Sequence, residues 1–412
     1  MIPDLRARLN AAARKPAETA PKQECLILES SVPLPQMGGF SSVSFEQVFP
    51  FADIQMDWRL DRTLFIDTET TGLRGAGTVA FLIGLGWIEN GNFVVRQLVM
   101  RDYPEEMDML LTLQDILPGF SCLVSFNGKS FDIPLLRDRF LLSRLPDPWR
   151  GFAHVDLLHI ARRLWKARLG CCRLEALEET ILGHSRENDI PGSQIPERFF
   201  RYLKSGDFSL LDGVIRHNRQ DILSLAKLLS KLAAVYQAPE QQQSFLDVLS
   251  AGRALEKRGL GEAARRCFQV ASLSSFSRQA RLFLAGSYRR KKDYPPAAGV
   301  YFELIDRGEA EVLDYVALAI LLEHHLHDFA SALRVTEKAI VRFAGDSLRR
   351  ADEDTRNALY RRRRRLRKKL ESEEMNGVLK RYEGAKSADR PRQGQCGRGD
   401  EALSGGVCRG DE

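Results

Sequence analysis

The chain has 412 residues, 44% of them hydrophobic and 28% charged, a balance that supports packed cores in more than one domain. It contains no apolar run near the roughly eighteen residues of a membrane span, no apolar segment behind its basic first fifteen residues, and no C-x-x-C pair among seven cysteines; these features argue against a membrane, secretory or disulfide-framework protein and point to a reducing cytoplasm. Net charge is +6, but residues 349–381 alone carry thirteen Lys/Arg against six Asp/Glu, so the basic character is local.

Residues 1–60 read as a partly disordered N-terminal extension, punctuated by Pro, Ser and Gly, with one short strand candidate at 25–28. From 61 to 236 short apolar runs alternate with longer amphipathic ones, as βα folds do. Strands are expected at 64–66, 81–88 and 93–99, the last two joined by the turn Glu89, Asn90, Gly91 and Asn92. A helix over 105–117 and a strand over 122–126 follow, and then 134–143, 155–165, 173–182, 197–204 and 208–236 read as helices. The sum is a mixed sheet with helices packed on it, closed by a helix whose apolar stripe is Ile222, Leu225, Leu228, Leu229 and Leu232.

An Ala-Pro pair and a Gln-rich stretch make 237–246 a linker. Residues 247–343 read as all helical, and three sets of small and aromatic residues recur there: Ala264, Phe268, Ala271; Ala297, Tyr301, Leu304; and Ala332, Thr336, Ala339. Offsets of 33 and 35 residues match a tetratricopeptide-type period, although the usual glycine before Asp293 and Asp328 is missing. Residues 344–382 read as a basic helical segment whose core, 361–369, suits phosphate contact, although such a run is more commonly a solvated helix or tail. Beyond 383 the Gly, Ser, Arg and Asp content predicts a disordered tail.

Chemistry concentrates in three motifs. Asp67 and Glu69 stand two apart at the end of an apolar strand, so their side chains share a face. Adjacent buried carboxylates repel unless a cation joins them, and hard oxygen ligands suit Mg²⁺ or Mn²⁺; a lone D-x-E is more often an ordinary strand-end turn. Asp132 follows a strand ending in Asn127 and Gly128, where it reads either as a site carboxylate or as the N-cap of the next helix. His217 and Asp221, four apart, share one face of the closing helix. His324, His325 and His327 lack ligand-spaced acids or cysteines, and no G-x-x-x-x-G-K-[ST] occurs, so neither a zinc site nor nucleotide hydrolysis is indicated.

Taken in order, the motifs D-T-E-T-T-G at Asp67, F-N-G-K-S-F-D-I-P-L-L at Asp132 and H-N-R-Q-D-I-L-S-L at Asp221 resemble a DEDD-type 3′–5′ exonuclease domain. The resemblance is strongest to the YprB-type ribonuclease H-like family, which often carries tetratricopeptide-like helices after that domain. Further stretches around His154 to Leu158 and Asp189 to Pro196 look like the same family. The resemblance implies an α/β ribonuclease H-like fold, a mixed sheet flanked by helices, over 61–236, plus an all-α helical-repeat domain. It implies that Asp67, Glu69, Asp132 and Asp221 hold two divalent metals, Mg²⁺ or Mn²⁺, at a phosphodiester. His217 takes the place of the general base or water-orienting residue, although such enzymes have Tyr four before the last Asp or His five before it. Thr70, Asn127 and Lys129 are the substrate-binding candidates within the same motifs. The expected function is hydrolysis of single-stranded DNA or RNA ends, with the repeats as a surface for a protein partner. The rival expectation is a scaffold that has lost activity and binds nucleic acid or protein through its repeats.

Overall fold

The computed structural model describes residues 24–37, 59–72, 77–186, 189–275, 277–342 and 353–388, so most of the N-terminal extension and the tail 389–412 lie outside the described residues. These residues divide into two compact units, Met1–Arg290 and Lys291–Glu412. The division falls inside the helical stretch, beyond the segment 237–246.

The first unit is built on a six-stranded mixed sheet of order β1-β4-β3-β2-β5-β6. Strands β2 (Thr63–Thr70), β3 (Ala80–Glu89) and β4 (Asn92–Val99) form an antiparallel meander. Asn90 and Gly91 both take positive φ between β3 and β4, as the two-residue hairpin turn requires. Strand β1 (Leu26–Pro33), from within the presumed extension, pairs with β4 along its whole length and is the edge of the sheet. On the other side β5 (Cys122–Ser125) and β6 (Ala153–Asp156) continue from β2 in parallel. Parallel neighbours need a crossover, and α2 (Asp132–Leu142) lies in the one between β5 and β6. Helix α1 (Glu106–Ile116) lies in the connection from β4 to β5.

Strand β6 corrects the helical reading of 155–165. Residues 153–156 pair with β5, and the helix, α3 (Leu157–Leu169), starts only at Leu157, with the Asp156 carboxylate capping it at the Leu158 N–H. Next come a short helical turn at Leu174–Leu177, a π-helical turn at Glu178–Leu182 and α4 (Ile195–Ser205). The predicted closing helix is α5 (Asp212–Gln237), and all five residues of its predicted stripe are buried. It crosses the sheet closely because β3 offers glycines. A Cβ on Gly86 would stand 2.6 Å from Ile222 Cγ2, and one on Gly84 would stand 2.2 Å from Asn218 Oδ1.

The rest is helical among the described residues. Helices α6 (Phe245–Lys257), α7 (Gly261–Ala271) and α8 (Ser277–Arg290) complete the first unit; α9 (Tyr294–Asp306), α10 (Val312–His324), α11 (Phe329–Arg342) and the long α12 (Glu353–Ala388) form the second. All nine residues of the three repeated sets are buried, on α7, α9 and α11. In the second unit α12 packs on α11 through Leu359 and Leu366, both buried, and residues 383–388 continue this helix. Part of the basic run serves this packing. Buried Glu323 receives Arg365 through two hydrogen bonds of 2.7 Å and Lys369 at 3.0 Å, while Arg361, Arg364 and Lys368 stay exposed. His324 lies against Glu323 and His325 stacks on Tyr294, so these histidines are used in packing.

Candidate active site

The site lies where β2, the start of α2 and the first half of α5 meet. Asp67 and Glu69 alternate with Thr68 along β2, and register opposite Gly84 and Leu82 of β3. The empty space above Gly84 admits Asn218 from α5, whose Nδ2 donates to Asp67 Oδ2 at 2.9 Å. Asn218 is itself oriented by Gln97 of β4, which donates to its Oδ1 at 3.0 Å. A relay of two amides therefore fixes the first carboxylate.

Asp132 is the first residue of α2, and its side chain does not cap that helix. Its Oδ1 instead accepts from the Thr68 N–H at 3.1 Å and the Thr68 hydroxyl at 2.5 Å, tying α2 to β2. The loop ahead of it is tightly wound. Asn127 has φ of 66°, and a Cβ on Gly128 would collide with Ser125 Oγ at 2.3 Å. Asp156 anchors the loop by accepting from the N–H groups of Asn127 (2.9 Å) and Lys129 (3.1 Å).

His217 and Asp221 complete the group from α5. One carboxylate or imidazole atom from each of Glu69, His217 and Asp221 lies within 4.8 Å of the others. His217 Nδ1 stands 2.9 Å from both oxygens of Asp189; a carboxylate can only accept, so Nδ1 carries the proton. The other nitrogen, Nε2, faces Asp221 (3.4 Å) and Glu69 (4.0 Å).

Burial, followed by repulsion from Asp221, Asp132 and Glu69, holds the Asp67 carboxyl well above the usual carboxylate range. Glu69 is raised by burial and by Asp221 and Asp132. Asp132 is pushed up to about 6 by burial, against the lowering effect of Thr68. Asp221 is raised by burial, partly offset by His217 and Arg186. Four carboxylates that resist ionising together form a donor set suited to cations, with oxygen ligands for a hard divalent ion and one imidazole beside them.

Sequence reasoning missed Arg186, which comes from the irregular stretch after the π-helical turn. It donates to Asp221, to Asp189 (3.0 Å) and through two hydrogen bonds to buried Glu178 (2.5 and 2.7 Å). Its own burial is outweighed by these acids, so it stays charged. In an irregular segment an arginine reads as solvent-exposed, and only the fold brings it to Asp221. Of the substrate-binding candidates, Thr70 donates its hydroxyl to Gly72 and so holds the turn after β2. Lys129 is exposed beside the site, and Asn127 lines a neighbouring cavity.

Among known proteins, the profile of the RNase_H superfamily matches residues 64–233. YprB of Bacillus subtilis (strain 168) is 31% identical over 344 residues, which span 77% of this chain and 80% of that one. Among solved structures, the family B DNA polymerase of the hyperthermophilic archaeon Pyrobaculum calidifontis aligns with 55% of this chain and 30% of its own, at 17% identity and a TM-score of 0.34. With its motifs spread across β2, α2 and α5 inside the matched span, the chain belongs to the YprB family and carries a ribonuclease H-superfamily, nuclease-like domain.

Proposed function

We propose that the protein is a metal-dependent nuclease, a 3′–5′ exonuclease of the DEDD type that shortens single-stranded DNA or RNA. The observation that carries this reading is the convergence of Asp67, Glu69, Asp132 and Asp221, each raised in pKa, with the Nε2 of His217 facing Glu69 and Asp221. These four acids would hold two ions, Mg²⁺ or Mn²⁺, which when bound supply charge neutralisation at the phosphodiester and a lowered pKa for water. The chain's own residues then divide the remaining work. Asn218 keeps Asp67 aimed, Thr68 keeps Asp132 aimed, and Asp189 keeps His217 with Nε2 free to take a proton from water. Arg186, held beside Asp221, supplies a fixed positive charge near the phosphate. The exposed Arg361, Arg364 and Lys368 add sequence-independent attraction for nucleic acid.

The pairing of Arg186 with Asp221 also supports the rival reading, in which an internal cation has replaced a metal and the fold serves as a scaffold. Incubating the full-length protein with Mn²⁺ and 5′-labelled single strands separates the two. The nuclease reading predicts a ladder shortened from the 3′ end that vanishes in Asp67→Asn. Intact strands in every metal, or a ladder unchanged in Asp67→Asn, would support the scaffold.

A further inference from the structure

We propose that a basic trough between α3 and α6 carries the phosphate backbone of a single strand into the acidic site; the proposal rests on the nuclease reading and deepens it. Two cavities of about 560 and 700 Å³ share Arg162 and Lys166 as lining residues, so they adjoin along these two cations. The larger is lined by nine residues of which six are Lys or Arg, and no Asp or Glu lines either cavity. The smaller reaches Asn127, next to Gly128, where an added Cβ would lie 3.3 Å from Asp132 Oδ2, so it leads to the loop that borders Asp132.

The like charges repel one another, although Arg253 also lies over the Phe283 ring, 5.1 Å from its centroid. Arg162 and Lys166 stand four apart on α3, and Arg253 and Lys257 stand four apart on α6. Like charges at that spacing destabilise each helix, and here two such pairs line one cavity. The helices are nonetheless locked side by side, because Arg168 of α3 donates to both oxygens of buried Asp247 of α6, at 3.0 and 2.9 Å. The crowding is thus imposed by the fold. A chain of phosphates relieves it, and the trough's approach to a phosphodiester-cleaving site favours a nucleic acid over an acidic peptide. Phe126, half-buried, lines the smaller cavity beside Asn127, an aromatic side chain of the type on which bases stack. The sugar is left open by this chemistry, since cations and a ring face bind DNA and RNA strands alike.

The test is fluorescence anisotropy with labelled DNA and RNA single strands of roughly twenty nucleotides, longer than a single groove usually covers, in EDTA so that nothing is cut. The variant R162Q/K166Q/R253Q/K257Q should bind the preferred strand about tenfold or more weakly, and its log–log salt slope should shrink by about three, the value for four lost phosphate contacts. The pair variant R162Q/K166Q should shift both readings about half as far. R201Q/K204Q on α4, which line neither cavity, should stay near wild type. Unchanged affinity and slope in the fourfold variant, no strand binding by wild type, or displacement of the strand by polyglutamate at equal charge would each overturn the trough. The two readings fail separately. A protein that binds strands through these cations but never cuts them contradicts the nuclease alone. One that trims a dinucleotide-sized substrate, yet binds long strands without these cations, contradicts the trough alone.

Discussion

Two sets of buried carboxylates, one in each unit, meet opposite surroundings. In the first, Asp67, Glu69, Asp132 and Asp221 crowd together, and among the described residues one guanidinium, that of Arg186, touches one of them. All four are pushed toward the neutral form. In the second, burial would raise Glu323 as well, but hydrogen bonds from Arg365 and Lys369 draw it down to about 2, and Arg362 adds a third cation at 3.4 Å. A buried acid that the chain itself neutralises holds helices together. Acids that the chain leaves under-neutralised are placed for a charge that arrives from outside.

The comparison breaks first at Asp67. Asp67→Asn should abolish Mn²⁺-dependent cleavage, because a neutral amide holds a divalent ion far more weakly than a carboxylate and does not bridge two. It should also leave the metal-free melting temperature equal or higher, since one repelling charge is gone. Gel assays and thermal melts on one preparation check both halves. His217→Ala should cost about 10²- to 10⁴-fold in turnover, the usual worth of moving a proton to or from water, while Mn²⁺ binding persists through the four acids. Single-turnover kinetics at saturating Mn²⁺ read this directly.

Glu323→Ala should do the reverse of Asp67→Asn. Its loss removes several charge-assisted hydrogen bonds and should cost the second unit about 2 kcal/mol in urea unfolding, with trimming of a short strand unchanged. Arg365 and Lys369 are exposed enough to turn to water, whereas Arg362 is not, which keeps the cost below that of a fully buried pair without removing it.

Acidification should separate the units in metal-free buffer. Asp132 rises from 3.8 to about 6 on folding, so the folded state binds the extra proton and its stability contribution falls as pH rises from 3.8 through 6. Glu323 falls from 4.5 to about 2, so its contribution is complete above 4.5 and is lost as pH drops toward 2. Between pH 6 and 4.5 the β2 and α2 region should therefore gain hydrogen-exchange protection while α10 and α12 hold theirs, after correction for intrinsic rates. Parallel losses in both regions would remove the contrast.

Asp67, Glu69 and Asp132 were legible because each sits where an apolar element begins or ends, and such ends are where a sheet and its helices converge; Asp221 was legible because it directly precedes the regular apolar stripe of α5, although it lies inside that helix. The closing helix was legible for the same reason, its stripe being long and regular. The supporting residues carried no such signal. Gln97 sits inside a strand, and its role exists only because α5 crosses β4 and β3 there. Arg186 depends on a π-helical turn and an irregular stretch whose path no periodicity encodes. Strand β6 has four residues, of which Val155 alone is a strong strand former, so pairing with β5 decides its conformation. Strand β1 alternates half-buried and exposed positions at the sheet edge, and its sequence therefore looks like that of a polar extension.

The most direct test of the central claim is calorimetric titration of the metal-free, full-length protein with Mn²⁺. An under-neutralised acid cluster predicts saturable binding of two ions, lost or halved in Asp67→Asn, intact in Glu323→Ala, and tighter as pH rises through 6 because bound protons must leave. Absence of saturable binding, or equal binding in Asp67→Asn and wild type, would contradict it.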